Sequence, residues 1–492
     1  MNYVGISNGF HDAGVSVVGS NGDILFAGHS ERYSKHKHDS ELCLPIIHDA
    51  TQYLKEATEV HYYERPWVTF LRQLRAGQPL DWRTTKQRIG SAYLKYMGNP
   101  KVVNHEHHLS HAAGSFQTSP YDSATVVIID AIGEFDTISI WDAWYDDNGY
   151  AQYKKLWSKK YPNSIGLFYS AMTARVGLKP LDEEYILMGM AAYGKPIHFN
   201  TIEAQLLENS TTLDFKENLH IGTPAGFLEG ADEMDIAASS QALVEYLINS
   251  VMSKARMLGK SRNLVYGGGV ALNCLANRNL GNYFNSMWIM PNPGDCGSSL
   301  GAAALGYGKK LNWVNAFLGH EITGEYPSNK VIDELVTNKI VGVASGRAEF
   351  GPRALGNRSL LADPRGNEIK DKVNEIKRRQ KFRPFAPIIL EEHVHQYFDM
   401  PNNWNDSRYM QVIATCRNPD LFPAIVHADG TSRVQTVPKD GSGIRDLLEK
   451  WYVLTECPML LNTSLNIRGE PMVNDRADAD RFEKLYNVKV IS

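Results

Sequence analysis

The segment NHEHHLSHAAGSF, residues 104–116, sets four histidines within seven residues. On a helix, His107 and His111 stand one turn apart on one face, close enough for both imidazoles to hold a single metal ion. Neutral imidazole nitrogen suits iron, zinc, cobalt or nickel, so two histidines do not choose among them. Two aspartates in turn-like settings are candidates to complete the shell. Asp130 ends the apolar run TVVIID, and Asp295 lies in PNPGDCGSSLGAA, where Gly and Pro permit a tight approach. Taken singly, the histidines also read as a solvated helix face and each aspartate as a helix cap.

Two glycine-rich turns form a second constellation. IDAIGE (129–134) and YGGGVALN (266–273) each follow an apolar strand-like run and could bring backbone N–H groups up to a phosphate. Neither fits GxGxxG or the Walker pattern, so those two nucleotide folds are not supported. A third lies further on: from Gly346 to Arg383 there are eleven Lys or Arg against five Asp or Glu. Arg347, Arg353, Arg358, Arg365, Arg379 and Arg383 recur among Gly and Pro, a pattern of loops that present guanidinium forks to phosphate or carboxylate. RNA would be the other anionic partner. Without aromatic interleaving or an RNA-module pattern, a small phosphorylated ligand is favoured.

The elements that must position these residues are those of an α/β protein. Strand-like runs occur at 3–7, 15–30, 125–134 and 263–273, the second folding as a hairpin about Asn21-Gly22. Helical periodicity marks SQALVEYLINSVMSKARML, residues 240–258. The polar stretch HEITGEYPSNK separates a small-residue segment from a new strand-like run, which places a domain boundary near 328–329. A net charge of −4 argues against a nucleic-acid-coating surface. Five scattered cysteines, none in a CxxC pair, suit a reducing cytoplasm rather than a disulfide framework. The opening residues lack a basic region followed by an apolar run, and no apolar stretch reaches membrane-spanning length, so secretion and membrane insertion are not expected.

Together and in order, these pieces resemble the ATP-dependent carbamoyltransferase family of antibiotic and nodulation-factor biosynthesis, the nodulation-factor, cephamycin and nebramycin O-carbamoyltransferase type. The stretches that carry the resemblance span nearly the whole chain. They include FHDAGVSVV, SERYSKHKHD, EHHLSHAAGSF, IIDAIGE, EYILMGMAAYGKP, GGGVALNCLANRNL and PGDCGSSLGAA, then GRAEFGPRALGNRSLLADPR, KRRQKFRPFAP, DGTSRVQTV and NTSLNIRGEP.

The resemblance implies an α/β fold in two parts. Residues 1–328 would form an actin-like (ASKHA) duplicated α/β domain that binds metal and nucleotide and transfers the carbamoyl group. Residues 329–492 would form a YrdC-like α/β domain that makes carbamoyl adenylate from carbamoyl phosphate and ATP. The implied metal ligands are His107, His111, Asp130 and Asp295, for Fe(II) or another divalent ion such as Mn, Co or Zn. The implied catalytic residues are His11, Lys37, Arg353, Lys377 and Arg379, with Lys377-x-Arg379 and Ser464-x-Asn466 matching the YrdC-type signatures. Substrate and cofactor contacts fall to Gly133, Gly267, Gly268, Gly269, Asn273, Arg347, Arg358, Arg383, Ser464 and Asn466.

The implied partners are ATP, carbamoyl phosphate, Mg, and a hydroxylated small-molecule or nucleoside acceptor. Nucleic acid enters only as a modified-base acceptor, and a homodimer is allowed. The chain departs from the family pattern at Ala131 and Ile186, where Gly and Lys are usual, and its last residues look curtailed. The rival readings are a threonylcarbamoyl-type tRNA-modifying enzyme and a metal- and nucleotide-binding regulator without turnover.

Overall fold

The computed structural model describes residues 1–55 and 57–492. It is a mixed α/β protein whose chain divides into two compact units, Met1–Leu25 with Ser40–Trp313, and Phe26–Asp39 with Val314–Ser492. The later division falls ahead of the 328–329 expected from composition, because strand Phe317–Ile322 pairs with Gly346–Glu349 and so belongs with the second unit. Composition gives no hint that Phe26–Asp39 joins the second unit. It does so through Arg32, which donates to the carbonyls of Glu349 and Gly351 at 2.5 and 2.6 Å, and through a Lys35–Asp478 ion pair.

In the first unit, β1 (Asn2–Ser7) pairs antiparallel with β2 (Gly14–Val18), and the Asn21-Gly22 turn leads on to β3 (Ile24–His29). On its other side β1 pairs parallel with β4 (Thr58–Tyr62), which pairs parallel with β5 (Lys101–Asn104). From β5 the chain enters α1 (His107–Gln117), then a meander of β6 (Ser123–Gly133), β7 (Asp136–Tyr145) and β8 (Ala151–Lys160). The predicted long helix is α2 (Glu233–Leu258), started by Asp232, whose side chain accepts the N–H groups of Met234 and Asp235. It returns the chain to β9 (Asn263–Gly267), which pairs parallel with both β6 and β10 (Ser286–Ile289).

The last helix of this unit, α3 (Ser298–Tyr307, SSLGAAALGY), packs against β1 and α1. Small residues are what permit that approach. A Cβ on Gly5 would lie 1.7 Å from the Ser299 carbonyl oxygen, and one on Gly301 would lie 1.8 Å from that of Ser110. The N-terminal end of α3 is thereby held against α1, with an apolar core of Ala112, Phe116, Val126, Ile128 and Val265 between α1 and its sheet.

The second unit is built on six strands: β11 (Ile340–Ala344), β12 (Arg358–Ala362), β13 (Ala386–Leu390), β14 (Gln435–Val437), β15 (Met459–Ser464) and β16 (Val490–Ile491), in the order β14-β13-β15-β12-β11-β16. Period-two alternation divides its core between the two faces, with Leu361, Ile388 and Leu460 in one cluster and Leu360, Ile389 and Leu461 in the other. At one end of β12 the buried Arg358 guanidinium donates to the carbonyls of Asn474, Ser345, Asn357 and His320 at 2.9–3.0 Å and of Gly346 at 3.1 and 3.2 Å.

Replacing Arg358 with Met strands these five carbonyls in the interior. It is expected to destabilise the protein by about 3 kcal/mol or more, given the cost of unsatisfied buried acceptors. Urea unfolding of the full chain measures this, and an unchanged midpoint would contradict the role.

Candidate metal centre and lysine cluster

His107 and His111 are both buried on α1 and separated by one turn, as their spacing predicts. Asp130 comes from β6 at a register shift between Ile129 and Gly133, where the irregular ladder re-aims the side chain. Asp295 comes from the single turn Asp295–Gly297 that precedes α3. The small-residue packing of α3 therefore carries one carboxylate to the histidines, and the irregular strand end carries the other.

The four donors converge. The two Nε2 atoms are 3.1 Å apart, and Asp295 Oδ1 lies 3.2 Å from His111 Nε2 and 3.4 Å from His107 Nε2. Asp130 Oδ2 lies 3.3 Å from His107 Nε2 and 3.7 Å from His111 Nε2. An ion held at about 2.0–2.2 Å from nitrogen and oxygen ligands sets those ligands roughly 3.0–3.5 Å from one another, so the spacing suits one ion. The charges suit it as well, since two carboxylates and two neutral imidazoles balance a divalent cation.

Proton affinities follow from the crowding. Burial opposes charge on His107, but Asp295 and Asp130 outweigh it and drive the imidazole well above its usual range. Burial likewise pushes Asp130 up, yet the hydrogen bonds and charge of His107 and His111 hold it well below the usual carboxylate range. Asp295 is brought to about 2, with burial and the Asp130 charge opposed by both histidines. A bound cation replaces the protons that these groups otherwise share.

The glycines near this centre make room for it. Gly269 donates its N–H to Asp130 Oδ1 at 3.1 Å. Gly268 has φ +86°, and a Cβ there would lie 2.2 Å from the Ile129 carbonyl oxygen. A Cβ on Gly267 would meet Ser115 Oγ at 2.7 Å, and one on Gly133 would meet the rings of His108 and His107 at 2.4 and 2.5 Å. Asn273 spends its amide elsewhere: it exchanges two 3.0 Å hydrogen bonds with Gln241 and caps the helix at Ala276. His11, 35% exposed, has Nε2 4.0 Å from Asp295 Oδ2 and Nδ1 2.9 Å from Asp12. Burial lowers its proton affinity, but Asp12 and Asp295 outweigh burial and raise it to about 9.

In the second unit the Lys-x-Arg and Ser-x-Asn signatures meet. Lys377 is buried at the end of helix α4 (Asn367–Ile376), with Nζ 3.2 Å from Ser464 Oγ and 2.9 Å from both oxygens of Asn466. Burial, and then the charges of Arg379 and Arg383, hold its proton affinity well below that of an ordinary lysine. Arg379 donates to Asn374 Oδ1 at 2.7 Å and stacks its guanidinium 4.0 Å from the centre of the Phe385 ring. Arg353 lies half-buried in a loop that Glu349 organises by accepting the N–H groups of Leu355, Asn357 and Arg358 at 2.8–3.1 Å. Lys37 sits in the Phe26–Asp39 segment of the same unit.

Two of the expected phosphate ligands are turned to the chain itself. Arg358 is fully buried with its donors on backbone carbonyls, and this corrects its assignment to a ligand. Arg347 donates to the carbonyls of Leu318 and Gly319. Sequence reasoning missed the charged residues behind His107. Glu64 ion-pairs with Arg88, and Glu134 with Arg65. The one local signal was an acidic residue closing each of two apolar strand-like runs, at HYYE and IDAIGE.

Residues 46–304 match the model of the carbamoyltransferase N-terminus, and residues 332–491 that of the carbamoyltransferase C-terminus. The chain belongs to the carbamoyltransferase family. This carbamoyltransferase is 33% identical to the uncharacterised protein sll1178 of Synechocystis, over 97% of this chain and 93% of that one. It is 32% identical to the nodulation protein NolO of Bradyrhizobium diazoefficiens, over 76% and 75% of the two chains. Component A of the (R)-2-hydroxyglutaryl-CoA dehydratase of Acidaminococcus fermentans aligns with a TM-score of 0.36 at 16% identity, over 62% of this chain and 98% of that one, a likeness too slight to bear on the fold. Among the described residues, no helix is long and apolar enough to cross a membrane.

Gly133→Ala drives a methyl group into the rings of His107 and His108. It is expected to abolish stoichiometric uptake of Mn(II) or Fe(II), as is Asp295→Ala, which removes a ligand. Metal content after gel filtration measures both, and full occupancy in Asp295→Ala would contradict the quartet.

Proposed function

We propose that this carbamoyltransferase works in two steps, one in each unit. At the Lys377 cluster, water cleaves carbamoyl phosphate to carbamate and phosphate, and a carbamate oxygen then attacks the α-phosphate of ATP to give carbamoyl adenylate and pyrophosphate. The carbamoyl group then passes from the adenylate, with release of AMP, to a hydroxyl or amine of a small-molecule or nucleoside acceptor at the quartet of His107, His111, Asp130 and Asp295. On this reading the first unit is actin-like and the second YrdC-like. The observation that carries it is the convergence of four buried metal-type donors in a chain of this family.

The residues of the chain suit these tasks. Displacing phosphate and pyrophosphate needs fixed cations, which Arg379 and Arg383 supply around Lys377, with Arg353 as a further candidate from its own loop. Ser464 and Asn466, tied to Lys377 and to each other, fix the turn over which the carbamoyl donor binds. In the first unit His107, His111, Asp130 and Asp295 would hold a divalent ion, Fe(II) by the family resemblance, which would supply a Lewis acid for charge on the carbamoyl oxygen. Asp130 and Asp295 fix the charge of that pocket, and the Gly269 N–H holds the Asp130 carboxylate in place. His11, which Asp12 and Asp295 favour in its protonated form, would contact the carbamoyl intermediate beside Asp295.

The two sites separate in mutants. Arg379→Ala is expected to lower carbamoyl-phosphate-dependent ATP–pyrophosphate exchange by about a hundredfold or more. His111→Ala leaves that exchange intact while abolishing transfer to any acceptor. Exchange that requires bicarbonate and threonine in place of carbamoyl phosphate would indicate threonylcarbamoyl chemistry instead. Absence of exchange in folded, metal-loaded protein would indicate a regulator.

A further inference from the structure

We propose that Glu64 is a positioning residue for the quartet: it keeps the proton of His107 on Nδ1 so that the Nε2 lone pair faces the other three donors. The inference rests on reading the quartet as a metal centre. It begins from an oddity of His107, whose ring is almost wholly enclosed and whose Nδ1 has no hydrogen-bond partner. A neutral imidazole carries one N–H, and whatever faces each nitrogen decides which one keeps it.

What faces Nδ1 is a carboxylate. Glu64 Oε2 stands 3.7 Å from it, just beyond hydrogen-bond length, and the Glu64 side chain is 2% exposed. On the opposite edge of the ring, Nε2 meets the two aspartates and His111. The ring has little freedom to turn over. Tyr63 packs with its centroid 5.0 Å from that of His107, and a single added carbon at Gly133 would already touch the ring.

Glu64 is itself fixed by contacts that serve no surface purpose. Arg88, with a side chain 0% exposed, ion-pairs with its Oε1, and Thr69 Oγ1 donates to its Oε2 at 3.2 Å. Arg88 is anchored in turn by Asp81 at 3.4 Å and by its own carbonyl, which accepts from Asn8 Nδ2 at 2.8 Å. Arg88 also cancels the Glu64 charge, so the carboxylate polarises the imidazole without adding a third net negative charge to the pocket. Carboxylates placed behind ligating histidines fix the tautomer and raise the basicity of the ligand nitrogen in just this way.

The paired variant Glu64→Gln/Arg88→Met removes both buried charges together, which avoids stranding either one. Its Zn(II) affinity, measured by competition with a chelator, is expected to fall by about 10–100-fold while the melting temperature of the metal-free protein holds. Unchanged affinity would overturn the proposal, as would a fall that Glu64→Ala/Arg88→Met does not share. Should the variants not fold, wild-type protein labelled with ¹⁵N-histidine and loaded with Zn(II) decides the matter. The resonance lost in His107→Gln must report a protonated Nδ1 and a metal-bound Nε2, and the reverse assignment overturns the proposal. Wild-type protein that takes up no Zn(II) would overturn the underlying reading of the quartet, and this inference with it.

Discussion

Two carboxylates each lie within 3.7 Å of two imidazoles in the buried interior of the first unit, and such a grouping persists only if shared protons or a cation neutralise it. Much of the unit can be understood as meeting that constraint. Helix α3 is made of Ser, Gly and Ala so that its backbone can press on β1 and α1, which brings Asp295 to the histidines. The ladder of β6 breaks its register where Asp130 must turn, and Gly269 leaves space for the Asp130 carboxylate and donates its N–H to it.

The second unit handles charge differently. Its arginines divide into those spent on the chain and those held about Lys377. Arg358 gathers carbonyls from four separated segments and so acts as a cross-brace at the end of β12. Lys377 is buried among oxygens that carry no formal charge, and burial, then two arginines, lowers its proton affinity. A site with Arg379 and Arg383 beside it has a physical use for an anion, which the proposed function takes to be phosphate.

Local patterns made much of this legible in the sequence. The i, i+4 spacing of His107 and His111 and the aspartate closing TVVIID operate over a few residues, and the Lys-x-Arg and Ser-x-Asn pairs are short enough for the family resemblance to single them out. What could not be read depends on partners far apart in the chain. Arg358 looks like its neighbours in GPRALGNRS, and only its contact with Asn474, 116 residues away, reveals it as a brace. Glu64 lies in no motif, and its meaning comes from Arg88 and His107, which reach it from two different helices. The transfer of Phe26–Asp39 to the second unit rests on Arg32 reaching carbonyls more than 300 residues later. Composition carries no trace of such a contact.

X-ray absorption on the Fe(II)-loaded protein tests the account at its centre, because it reads the ligands of the ion directly. Outer-shell scattering from two imidazoles, with a first shell of nitrogen and oxygen near about 2.1 Å, is the result expected of His107, His111, Asp130 and Asp295. A spectrum without imidazole scattering would place the ion elsewhere and leave the quartet as a proton-sharing cluster, contradicting the account.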